Sequence, residues 1–324
     1  MHKTVVGVVR GGPSSEYDIS LLSGAQVLQS LDKAKYEAKD IFISKDGIWH
    51  MGGVEVSPDR ALRSIDVVFN ALHGEYGEDG TIQRLLDTYG VPYTGSRSVP
   101  SAIAFNKHHT KEIAKKLGIK TAYGFVVEPT NEEEIEADAL RVFNAFGGPW
   151  MIKPAASGSS MGARVAKDFH ALIDGIAHAQ TIAPTVLVEE YIKGREATCG
   201  VADHFRGEDV YAFFPIEIIR PKDTDHWSRA SKYDGSTQEI CPGNFSANEK
   251  GMIAQYAKAI HKELALSHYS RSDFIISPRG VYFLEVNTLP GLTSESLLPK
   301  AIHAAGGTLS DFFTHIIELA RSKK

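Results

Sequence analysis

Apolar and polar positions along the chain switch between strand-like and helix-like spacing, and those switches predict its elements. Residues 3–9 form a short apolar run that reads as a buried strand, followed by the loop Arg10–Ser15. Helical spacing then carries Ile19, Leu22, Val27, Leu28 and Leu31, with Ser14 or Ser15 as N-cap and Glu16 in the first turn. Strands are expected near 39–43 and 66–70, then the loop His73–Gly80, then a helix carrying Ile82, Leu85 and Leu86. The order strand, helix, strand, strand, helix predicts a small α/β domain with a largely parallel sheet over residues 1–96.

A second unit, residues 97–187, opens with helices near 98–105 and 107–117. A strand at 122–127 leads to an acidic helix from about 131, whose Glu132–Glu134 suit a first turn, where the dipole favours acids. A strand at 150–153 runs into the Gly/Ser-rich tip Pro154–Gly162, with a return strand at 163–166 and a helix from Asp168. This unit reads as α+β. The third, residues 188–324, continues the apolar run 186–192 with strands near 196–202 and 210–217. Its polar stretch 220–243 lacks periodicity and reads as a functional lid or an extended loop. A helix near 246–266, a hairpin and two C-terminal helices complete the chain. The hairpin is the pair of apolar runs on either side of Pro278-Arg279-Gly280.

A length of 324 residues fits two or three domains, and 43% hydrophobic with 23% charged residues supports ordinary globular cores. The formal net charge of -5 leaves no electrostatic footprint for nucleic acid or an anionic membrane, so any polyanion must be held by a few placed Lys and Arg. Cys199 and Cys241 stand outside any CxxC or Cys/His metal spacing, so a reducing compartment, the cytoplasm, is expected. The first residues are too brief for a signal segment, and no run approaches the ~20 apolar residues of a membrane span.

The hairpin carries the sharpest chemistry. Asp273 lies on its first strand and Glu285 and Asn287 on its second, and two-residue spacing turns Glu285 and Asn287 the same way. Carboxylates and an amide converging from neighbouring strands suit Mg²⁺, which takes oxygen ligands. Arg271, two residues before Asp273, points with it and can neutralise charge developing during group transfer. An unpaired carboxylate inside an apolar strand would be costly, which disfavours a bland surface hairpin. Lys153 ends a strand directly before the tip Ser157–Gly162, whose backbone N–H groups and hydroxyls suit phosphates, although no Walker A order is present. Glu189, Glu190 and Glu196 surround a strand and turn that either reads a nucleoside or forms a solvated turn. Lys107 alone reads as an exposed helical lysine and His73 alone as a structural histidine. The Gly11–Glu16 loop lacks a dinucleotide fingerprint, and Glu16 could grip an ammonium group.

Five segments together resemble the ATP-grasp carboxylate–amine ligases, in particular the D-alanine–D-alanine ligase branch. They are Gly11–Leu21, Ala71–Gly80, Lys153–Gly162, Ser231–Tyr233 and Arg271–Leu298, in the family's order and spanning nearly the whole chain. The resemblance implies a three-domain ATP-grasp fold, a mostly parallel N-terminal α/β domain plus two α+β domains that clamp ATP. It implies ligation of two D-alanines through a D-alanyl-phosphate, for peptidoglycan precursors, by a cytoplasmic homodimer. Lys107, Lys153 and Lys232 would contact phosphates, the last when the 220–243 lid closes. Glu189, Ile192 and Glu196 would hold adenine and ribose, and Asp273, Glu285 and Asn287 two Mg²⁺ ions, with Mn²⁺ as a substitute. Arg271 and the Gly291 N–H would stabilise the acyl-phosphate and the oxyanion. Glu16 would bind the first ammonium, in a hydrogen-bonded set with Ser159 and Tyr233. Ser296 and the Leu297 N–H would hold the second carboxylate, and His73 would sit near the first substrate. Tyr17 and Asn106 depart from the family pattern, which more often has His and Asp there. Tyr233, where ester-forming relatives place His, implies an amine nucleophile. D-serine or D-lactate as second substrate, or a catalytically silent ATP-binding module, are the competing expectations.

Overall fold

The computed structural model describes residues 3–158, 161–220 and 237–322. Strand β1 (Thr4–Gly11) lies inside a five-stranded sheet, with Val6, Val8 and Val9 fully buried. It pairs in parallel with β2 (Tyr36–Ile43) and β5 (Val67–Asn70). An antiparallel hairpin, β3 (Trp49–Met51) and β4 (Val54–Glu55), extends the edge in the order β4-β3-β2-β1-β5. The sheet is therefore parallel through β2, β1 and β5 and antiparallel beyond β2. The two short strands escaped the sequence reading because the turns around Gly47 and Gly52-Gly53 leave too few residues to show a period. Helices α1 (Tyr17–Ser30), α2 (Pro58–Leu62) and α3 (Thr81–Tyr89) complete this body.

Helices α4 (Ser98–Phe105) and α5 (Lys107–Lys116) follow, then β6 (Lys120–Thr121). A four-stranded antiparallel sheet comes next, built from β7 (Gly124–Val127), β8 (Trp150–Pro154), β9 (Arg164–Ala166) and β10 (Val186–Glu190). Helix α6 (Glu132–Ala145), capped by Asn131, and α7 (Phe169–Gln180), capped by Asp168, cover one face. The third sheet contains β11 (Arg195–Asp203), β12 (Val210–Ala212), β13 (Ile216–Ile219), β14 (Gln238–Ile240), β15 (Tyr269–Ser277) and β16 (Gly280–Asn287). β6 adds to its edge in parallel with β16. Helix α8 (Ala247–Glu263) carries a Ser246/Glu249 capping box and packs on this sheet. Ala104, Ala114 and Ile119, from the α4–β6 segment, share that core. Helices α9 (Leu297–Ala304) and α10 (Leu309–Ser322) close the chain.

Two features place the site. One continuous core runs from Val6 and Phe69 of the first sheet and Val27 of α1 through Phe312, Phe313 and Ile302 to Tyr269 and Phe213, so the N-terminal body and the seven-stranded sheet are joined through apolar packing. The four-stranded body instead hangs on two short tethers. It is entered from β6 and left toward β11, and the tethers are bonded to each other, Glu190 N donating to Tyr123 O at 2.8 Å. No helix among the described residues is long and apolar enough to cross a membrane.

Candidate active site

A cleft of about 1070 Å³ of empty space lies between the four-stranded and seven-stranded sheets. Its walls are built by strand alternation. On β8, Ile152 turns into the core while Lys153 faces the cleft. Glu189 of β10, opposite Met151, is 1% exposed, and its carboxylate is bonded by Lys111 on one oxygen and Lys153 at 3.4 Å on the other. Burial alone would push the Glu189 carboxyl up, but the two lysines overcome this and hold it below its ordinary value. Burial pushes the Lys111 ammonium down to about 8, against the pull of Glu189. Ile192 and Glu196 also line the cleft, Glu196 paired with Arg220.

Lys107 enters from the start of α5. Asn106 caps that helix, its Oδ1 accepting from His108 N at 3.0 Å and His109 N at 3.2 Å, and Lys107 N donates to Ala155 O at 2.8 Å. The asparagine therefore performs the capping that an aspartate would. The Lys107 ammonium donates to Ser157 O at 2.6 Å and stands 3.3 Å from Glu285. It thus ties the glycine-rich tip to the hairpin.

A β-bulge sets the hairpin's chemistry. Continuing the register of Ser277↔Gly280 would set Asp273 against Leu284, but the shift between Asp273 and Phe274 sets it against Glu285 and sets Arg271 against Asn287. Arg271 grips Asp273 with two bonds, at 3.0 and 2.9 Å, and Asn287 Nδ2 donates to the same carboxylate at 3.1 Å. Thr198, opposite Asp273 on β11, donates to it as well. Burial pulls the Arg271 guanidinium down, yet Asp273 more than compensates and holds its proton more tightly than usual. Among the described residues no trio of His, Cys, Asp or Glu clusters as a metal site. The candidate set is two carboxylates and an amide.

A second pocket, between the N-terminal body and the C-terminal end of β16, is lined by Glu16, His73, Glu78, Arg271, Asn287, Gly291, Ser296 and Leu297. Glu285 lines both this pocket and the cleft, so the two open into each other at the carboxylates. The Gly158 tip leans on Glu16, since a Cβ there would come within 3.1 Å of its Oε2. Gly291 lies closer still to Ser296, whose Oγ would be 2.7 Å from an added Cβ. Thr293 Oγ1 lies 2.8 Å from the same oxygen. Tyr17 turns away, edge-on to Phe42 at 6.2 Å with the Lys45 ammonium 4.9 Å from its ring.

The structure thus gathers the sequence-derived residues into one connected site, apart from Ser159, Lys232 and Tyr233, which lie outside the described residues. Lys111 was missed, although it lies one turn after Lys107 on the same helical face. Glu78 and Ser23 were missed too. Glu78 is buried, and burial, with Glu16 beside it, pushes its carboxyl up to about 7 against the donors from Gly74 and Leu289. Local spacing gave no signal for either residue.

Comparison with known proteins covers the same ground. A family model described as D-ala D-ala ligase C-terminus matches residues 113–318, and one described as D-ala D-ala ligase N-terminus matches 5–60 and 53–96. The chain is 36% identical to a D-alanine--D-alanine ligase of Flavobacterium johnsoniae, over 97% of this chain and 98% of that one. It is 36% identical to one of Geobacter sulfurreducens, over 99% and 95%. Among solved structures, the VanG D-Ala:D-Ser ligase from Enterococcus faecalis superposes with a TM-score of 0.86 at 27% identity, covering 98% of this chain and 100% of that one. The D-alanine--D-alanine ligase from Bacillus anthracis complexed with ATP gives 0.80 at 32% identity, covering 99% and 97%.

Proposed function

The chain belongs to the D-alanine–D-alanine ligase family, and from that premise we propose that it joins two D-alanines into D-alanyl-D-alanine while converting ATP to ADP and phosphate. The observation that carries this reading is the junction at Glu285, where a cleft fit for a nucleotide opens into a pocket fit for amino acids.

ATP would lie between the two sheets, with adenine and ribose near Glu189, Ile192 and Glu196 and phosphates near Lys107, Lys153 and the glycine-rich tip. The first D-alanine would present its ammonium to Glu16 and its carboxylate to the junction. A carboxylate oxygen attacks the γ-phosphorus, and the bond to ADP breaks. Lys107, Lys153 and Arg271, which line the two pockets, would offset the charge that develops. Asp273, Glu285 and Asn287 fit divalent cations, because two carboxylates and an amide side by side are hard oxygen donors and Asp273 already sits among polar partners. Two Mg²⁺ ions there, or Mn²⁺, would neutralise the triphosphate and the reacting carboxylate. The second amine then attacks the acyl carbon and phosphate departs. The Gly291 N–H and Arg271 would take the oxyanion, and Ser296 with the Leu297 N–H the second carboxylate. Ser159, Lys232 and Tyr233 keep their sequence-derived roles within this proposal, as do a homodimeric assembly and a cytoplasmic location.

Phosphate release measured across D- and L-amino acids, and with D-lactate beside D-alanine, tests the reading. D-alanine-dependent release with dipeptide product is expected, abolished by Asp273→Ala and Lys153→Ala. Turnover indifferent to D-amino acids would overturn it, and a predominantly depsipeptide product would overturn the amine nucleophile.

A further inference from the structure

One buried cluster reaches across the two bodies and takes no part in the chemistry above. Ser23 on α1 is 0% exposed, and His73 and Glu78, between β5 and α3, are 4% and 8% exposed. All three bond the segment Thr288–Leu292 that follows β16. Glu78 Oε2 accepts from Thr288 N at 3.1 Å, Leu289 N at 3.1 Å and Thr288 Oγ1 at 3.3 Å, while its Oε1 accepts from Gly74 N at 3.0 Å. Leu289 O lies 2.8 Å from His73 Nδ1, and a carbonyl only accepts, so the proton is on Nδ1. Nε2 is then an acceptor and takes the Ser23 hydroxyl at 2.7 Å. The Ser23 oxygen in turn accepts from Leu292 N at 3.2 Å. With a neutral imidazole every donor and acceptor of this chain is used, and burial lowers the proton affinity of His73 in the same direction.

We propose that Ser23, His73 and Glu78 are positioning residues for acyl transfer: they fix Thr288–Leu292 to the N-terminal body, so that Asn287, just before the segment, and Gly291, within it, stand in register with Glu16 opposite. The proposal deepens, and rests on, the reading of the second pocket given above. Gly291 lies between two clamped residues, Leu289 and Leu292, so its N–H inherits their position. When that N–H is displaced, attack by the second amine slows while acyl-phosphate formation at the cleft continues. Water then cleaves the acyl–phosphate bond, returning D-alanine and phosphate. The signature is extra phosphate for each dipeptide.

The test uses the full chain with Ser23→Ala, which strands the Leu292 N–H and the His73 acceptor, and Glu78→Gln, which turns an amide donor toward a backbone donor. ADP, phosphate and dipeptide are measured together with ATP and D-alanine. Dipeptide formation is expected to fall about tenfold, the phosphate-to-dipeptide ratio to rise above that of the unmodified chain, and the KM for ATP to stay within about twofold. Ile316→Val, in the shared core but off the cluster, should lower stability and leave the ratio unchanged. An unchanged ratio in both cluster variants, or a parallel rise in the ATP KM, overturns the proposal. Amide exchange of residues 286–293 separates this from the reading of the reaction. Faster exchange confined to that segment is expected in both variants whatever the substrate, and unchanged exchange refutes the clamp even if D-alanine is not the substrate. If Glu78→Gln does not fold, Ser23→Ala decides by the same measurements.

Discussion

Two buried glutamates, Glu189 behind the cleft between the sheets and Glu78 behind the second pocket, are solvated in opposite ways. Glu189 is met by the ammonium groups of Lys111 and Lys153, and its carboxyl is held below the ordinary range. Glu78 receives three backbone N–H groups and a hydroxyl, and its carboxyl is pushed up to about 7. Mobile cations suit a wall that meets a polyanion, because they can be shared with the ligand. Fixed dipoles suit a wall that must keep a backbone segment in place, because they do not move when a charged substrate arrives.

The comparison breaks most severely at Lys111. Lys111→Met leaves Glu189 buried with a single, longer contact to Lys153, and removing one partner of a buried ion pair costs about 3–5 kcal/mol. Denaturant unfolding should show a loss of that order. The ATP KM should rise as Lys153 is drawn to Glu189, and Glu189→Gln in the same chain should restore part of both. An unchanged midpoint would mean that Lys153 alone suffices.

Glu78 sharpens the contrast through pH. Its folded-state value of about 7 lies above the ordinary 4.5, so the folded chain binds this proton more tightly than the unfolded chain. The associated stability is complete below about 4.5 and is lost as pH rises through about 7, a change of up to about 3 kcal/mol. In Glu78→Gln that part of the slope should vanish, and unfolding free energies measured between those limits would reveal it. A wild-type slope of the opposite sign would show that the backbone donors outweigh burial.

The smallest effect is expected at Arg279→Ala. Its 2.8 Å pair joins an exposed guanidinium to the half-buried carboxylate of Glu190 at the rim, so its loss should leave the denaturant midpoint almost unchanged. A loss comparable to that of Lys111→Met would dissolve the distinction between wall and rim.

The hairpin was legible in the sequence because side chains on a strand repeat every two residues, and because hard oxygens inside apolar runs demand partners. The partners themselves were less legible. The facing of Asp273 and Glu285 depends on a one-residue bulge, which no local spacing announces. Lys111 reads as one more polar residue of an amphipathic helix until Glu189, distant in sequence, packs against it. Glu78 and Ser23 acquire meaning only through Thr288–Leu292, more than two hundred residues later. Assignment of α4, α5 and β6 to a neighbour likewise depended on long-range packing: they lie within the 97–187 span yet share the core of the seven-stranded sheet.

The two short tethers of the four-stranded body carry a mechanical consequence. They meet at the Trp150 end of β8, where Trp150 pairs with Glu190, whereas the Gly158 tip projects beyond Pro154 at the other end. At that other end the body is bonded again, Lys107 N donating to Ala155 O and the Lys107 ammonium to Ser157 O, so any turn about the tethers as a pivot has to break those bonds. A small angular step at the pivot becomes the largest displacement at the tip, which rests on Glu16. A turn that widened the space between the two sheets would therefore also lift the Gly158 tip from the pocket that holds Glu16.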